Sequence, residues 1–84
     1  MIYENEKIRT WKKEIEETEH HMQQVEAIMK VDELLNANNG LEIERVRHRE
    51  RMERMNEMLE MGKARIKLLK GLINYERGEF HNGN

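Results

Sequence analysis

Two apolar lines at heptad spacing, out of phase with each other, constrain this chain more than any other feature. In the first half Ile8, Trp11, Ile15, Met22, Val25 and Met29 alternate three and four positions apart, with Thr18 filling the one gap. Such a line keeps one helical stripe against a neighbouring helix over three repeats. In the second half Met52, Met55, Leu59, Gly62, Ile66, Leu69 and Ile73 repeat the spacing. The a position Met52 lies 23 positions beyond the a position Met29, which is not a multiple of seven. One continuous coiled coil would need an uncompensated break there, whereas a hairpin needs no common phase. The stretch "NANNG", Asn36 to Gly40, is the one cluster of turn formers inside the chain.

The expected fold is therefore all-α, one domain over residues 1–84. Helix 1 spans about 4–36, the turn 36–40, helix 2 about 41–77 and a frayed tail 78–84, with boundaries good to ~2–4 residues. Each rod is roughly 50 Å long. Asn39, three positions before Glu42, reads as an N-cap with its N3 partner. With a turn centred near Asn38, facing residue numbers sum to roughly 77. That pairing sets Val31 on Val46, Leu34 near Ile43, Met22 on Met55 and Ile15 against Gly62. It also sets Glu14 near Lys63 and Glu26 near Arg51. Residues 1–40 carry five basic and nine acidic side chains, and residues 41–84 carry ten and eight, so charge favours the antiparallel pairing.

Helix 2 bears a second apolar line, Met58, Met61, Leu68, Leu72 and Tyr75, at its c and g positions. Together with the a/d line it makes a face wider than one neighbouring helix covers. Self-association into a dimeric four-helix bundle, through Leu68, Leu72 and Tyr75, is the economical way to cover it.

The stretch "RVRHRERMERMNEML" places five arginines within ten residues, and helical geometry divides them. Arg47, Arg51 and Arg54 continue the second line toward the turn, and Arg65 interrupts it farther on. Arg45 and Arg49 point elsewhere. Interleaved glutamates and a pI of about 6.1 set this apart from a DNA-binding basic region. A solvated, salt-bridged helix face is the plain reading. The sharper one is a partner-binding side formed by Arg47, Arg51, Arg54, Met58, Met61 and Arg65, suited to an acidic amphipathic helix.

Composition removes other classes. There is no cysteine for a disulfide, a thiolate zinc site or a thiol nucleophile. No apolar run approaches the ~20 residues that cross a bilayer. "MIYENEKIRTWKK" lacks a signal-peptide core, so a cytoplasmic location is expected. Glu17 and His20 have the E-x-x-H spacing of di-iron bundles, but at c and f they point away from the seam, and helix 2 offers no completing glutamate. His21 at g and His48 at d lie at different levels, His81 is in the tail, and Trp11 at d reads as core. No Ser–His–acid set or phosphate loop is present. No catalytic residue, metal or cofactor is expected.

These readings converge on a small non-enzymatic protein-interaction module, an adaptor, regulator or inhibitor of the size that phages encode. Two alternatives are a purely structural self-associating module and a nucleic-acid-binding dimer that joins the Arg45–Arg54 segments of two chains.

Overall fold

The computed structural model describes residues 5–78, so the N-terminal four residues and the tail beyond Gly78, with His81, lie outside it. Two helices form, α1 at Glu6–Asn36 and α2 at Glu42–Glu76. They pack against each other as an antiparallel hairpin. The sequence between the caps is rich in Glu, Lys, Arg, Met and Leu and has no proline, so helix is opposed chiefly by Gly62 and Gly71 within α2.

The ends are built by specific groups. Asn5 caps α1, its Oδ1 accepting from the Ile8 backbone N–H at 2.9 Å. Its Nδ2 donates to Glu76 Oε1 at 3.0 Å, tying the two open ends together. Past α2, Gly78 adopts φ 77, a left-handed conformation that glycine takes without strain, and its N–H returns to the Tyr75 carbonyl at 2.9 Å. The Asn39 cap does not form as the sequence suggests. Leu41 holds the N-cap position with no side-chain bond, and Asn39 Oδ1 accepts from the Leu41 N–H at 3.0 Å, closing a tight turn.

Both a/d lines make the seam. Ile8, Val25, Leu69 and Ile73 are 2–6% exposed, and Trp11, Ile15, Met22, Met29, Met52, Met55, Leu59 and Ile66 are half-buried beside them. Thr18 is tolerated in the line because its hydroxyl donates to the Glu14 carbonyl at 2.8 Å. Gly62 receives Met22, not Ile15. A β-carbon there would lie 2.7 Å from the Met22 sulfur, so the missing side chain admits the thioether.

The pairing register differs from the expected one. Asn5–Glu76, Glu14–Arg65, Met22–Gly62, Asp32–His48 and Asp32–Arg51 have residue numbers that sum to between 79 and 84. Consequently Glu14 meets Arg65, while Lys63 pairs with Glu60 in its own helix. Arg51 meets Asp32 in place of Glu26. The reason lies at the turn end, where the seam keeps its heptad phase through Asp32 and Asn36. Val31, Leu34, Ile43 and Val46, expected to pair with one another, are instead 55, 79, 58 and 36% exposed.

Candidate partner-binding face

A hydrogen-bonded polar ladder holds the turn-end seam. Asn39 donates to Asn36 Oδ1 at 3.4 Å, and Asn36 donates to the Asp32 carbonyl at 2.8 Å and to Asp32 Oδ1 at 3.0 Å. Arg51 closes on the same carboxylate from α2, Nη2 to Oδ1 at 3.0 Å and Nε to Oδ2 at 3.3 Å. His48 lies with Nδ1 2.9 Å from Oδ2. An ionised carboxylate only accepts, so His48 Nδ1 carries the proton of this contact. The Asp32 side chain is 15% exposed, and no buried side-chain polar atom among the described residues lacks a partner. The Arg51 guanidinium holds the Asp32 carboxyl below the usual carboxylate range, His48 adds to this, and partial burial works against both. Asp32 in turn raises the pKa of Arg51.

Since polar groups occupy this end of the seam, its apolar side chains turn outward. On one side of the hairpin they form a groove of about 630 Å³. Ala27, Ile28, Val31 and Leu35 of α1 make one wall, Met55 and Met58 of α2 the other. Asp32 lies in the groove lining, with Arg51 and Arg54. The remaining second-line residues, Met61, Leu68, Leu72 and Tyr75, are exposed farther along α2, where their spacing keeps them on this same side. The opposite side of the hairpin is mostly polar, with Glu16, Glu19, Gln23 and Lys30 exposed on α1 and Glu53, Glu60, Lys63 and Lys67 exposed on α2, and Leu34, 79% exposed, lies beside Lys30 and Glu33.

The four arginines singled out from the sequence meet different fates. Arg51 is half-buried and committed to Asp32. Arg65 pairs with Glu14 across the hairpin, and Arg47 with Glu44 one turn away at 3.5 Å. Among the described residues Arg54 forms no ion pair, and it stands at the groove beside Met58. The wall from α1 was not anticipated. Its signal was present in the 3-4 spacing of Ile28, Val31 and Leu35, but Val31 had been assigned to the seam.

The histidines are dispersed: His20 Nε2 sits 3.4 Å from Gln24 Nε2, His21 is exposed, and His48 belongs to the ladder. Among the described residues no three His, Asp or Glu side chains are placed to share a metal ion. No described helix is long and apolar enough to cross a membrane. Compared with known proteins, the chain matches no family model, no curated protein and no solved structure.

Proposed function

We propose that this chain is a small, non-enzymatic protein-interaction module that holds an amphipathic helix of another protein on the groove side of the hairpin. The observation that carries the reading is the division of labour at the turn end. Polar groups that solvent would accept fill the seam, while Ile28, Val31 and Leu35 are exposed beside Met58. A chain optimised only to fold would bury those four and expose Asp32 and Asn36. Exposed apolar residues gathered in a groove and rimmed by arginine are the usual anatomy of a helix-binding site. The methionine wall suits it, because thioether side chains repack around differing partners.

Self-association through Leu68, Leu72 and Tyr75 is the second reading, and the amount of uncovered surface favours it. Met61, Leu68, Leu72 and Tyr75 are 71, 56, 36 and 59% exposed along α2. A four-helix bundle of two hairpins would cover them.

Val31→Glu tests the leading reading, since this exposed position lies outside the a/d seam. The variant is expected to keep its helicity and lose the partner. Retention of the partner by a folded Val31→Glu chain contradicts the groove.

A further inference from the structure

Apart from Met1, every methionine of the chain falls in the middle part of the hairpin: Met22 and Met29 on α1, and Met52, Met55, Met58 and Met61 on α2. The four on α2 recur every third residue, a little short of a helical turn, so successive thioethers step around the helix from the seam to the groove side. Met22, Met29, Met52 and Met55 are half-buried in the seam, with Met22 seated on Gly62. Met58 and Met61 are 42 and 71% exposed. Packing in the seam explains the first four thioethers and not the last two.

What faces them follows from the ion pair one heptad nearer the open end, where Glu14 of α1 touches Arg65 of α2. Seven residues on from Glu14 is His21, and seven back from Arg65 is Met58. His21 and Met58 therefore repeat that cross-helix relation one heptad toward the turn. Met61, about one turn from Met58, stands on the same side. The His21 ring is exposed and bonds to no other side chain among the described residues. Arginine outreaches methionine, and a metal ion between His21 and Met58 restores the span, with bonds of about 2 Å to nitrogen and to sulfur.

We propose that His21, Met58 and Met61 form a binding site for one copper(I) ion, held by an imidazole nitrogen and two thioether sulfurs. Thioethers are soft, neutral ligands that select copper(I), whereas magnesium and calcium take oxygen. Zinc sites are built from thiolate, imidazole and carboxylate. The chain has no cysteine, and no three described His, Asp or Glu side chains are placed together. Charge also favours a monovalent ion. Arg54, four residues before Met58, and Arg65, four after Met61, flank the site. Glu14 neutralises Arg65, and Glu17 stands one turn before His21. A monovalent ion meets half the repulsion from Arg54 that a divalent one would. The site needs no partner protein, so it and the interaction reading fail separately.

The test titrates the full chain with copper(I) under anaerobic conditions and with silver(I), an air-stable ion of the same charge and softness. Methionine methyl and histidine ring resonances are followed by NMR. One equivalent of either ion should shift Met58, Met61 and His21 and leave Met22, Met29 and His20 unmoved. Zinc(II) at the same concentration should move none of the methionines. Met58→Leu, Met61→Leu and His21→Gln, all at exposed positions, should keep their helicity, and each should weaken silver(I) binding at least tenfold. Unchanged affinity in a folded His21→Gln chain, or in both leucine variants, overturns the site. Shifts at Met22 and Met29 also overturn it, for the ion would then lie in the seam. Zinc(II) moving the same methionines, or saturation only at several equivalents, overturns the soft-ligand assignment.

Discussion

The Arg51 guanidinium reaches across the hairpin to the Asp32 carboxylate in a two-point contact, at 3.0 and 3.3 Å, directly beside the exposed Val31. A polar pair inside and an apolar residue outside at one level mean that the turn end is not held by hydrophobic burial. It is held by hydrogen bonds whose strength depends on charge.

This makes the turn end sensitive to acid. Asp32 has its folded-state pKa lowered, so its contribution is full above the unfolded value, about 3.9. It is lost as pH falls through the lower folded value. Melting temperatures measured from pH 7 to pH 2 should show Asp32→Asn well below the parent at pH 7 and converging on it below about pH 4. A constant gap across that range would separate the ladder from stability.

Leu68 and Leu69 are neighbours with opposite duties, 56% and 2% exposed. Leu69→Ala should destabilise the hairpin by about 2–5 kcal/mol, as for other buried leucines. Leu68→Ala should leave the isolated chain within about 0.5 kcal/mol of the parent and weaken only what binds that face. Denaturant melts of both variants, run at low concentration, distinguish them.

Gly62 and Met22 should be coupled. Alanine at 62 gains about 1 kcal/mol of helix propensity, but its β-carbon would fall 2.8 Å from Met22 Cγ, which sits too near the backbone to swing clear cheaply. Gly62→Ala is expected to destabilise the parent and to stabilise a Met22→Ala chain by about 1 kcal/mol. Additive effects in that double-mutant cycle would show that the glycine does not serve the methionine.

The hairpin and its register can be read together from spin labels at Glu19 and Lys63, both exposed on the polar side. Doubly labelled chains diluted in unlabelled protein should give the short distance of adjacent helices, whereas one continuous helix would separate the sites by roughly 65 Å.

The features legible in the sequence are those that periodicity encodes. The lines from Ile8 to Met29 and from Met52 to Ile73, the break at the asparagines and the exposed stripe from Met58 to Tyr75 all follow from 3-4 spacing. The turn end was not legible in this way, because two criteria conflict there. Pairing centred on Asn38 draws Val31 and Leu34 toward the seam, while heptad phase assigns the seam to Asp32 and Asn36. Side-chain hydrogen bonding decides for phase, since Asp32, Asn36, His48 and Arg51 satisfy one another. The same conflict hid half of the groove, because the turn-centred pairing sets Val31 of its α1 wall on Val46.

Ile28, Val31 and Leu35 face outward, and the proposed function requires a partner to cover them. Methyl NMR with a soluble paramagnetic probe measures this directly. In the dilute free chain the methyls of these three residues should be strongly broadened while those of Val25 and Leu69 stay sharp. Under the proposed function, an amphipathic helix bound on the groove side should then protect Ile28, Val31 and Leu35. Sharp Val31 and Leu35 methyls in the dilute free chain, with Val46 sharp beside them, would contradict the account, for the valines would then be packed on each other and the groove would not exist.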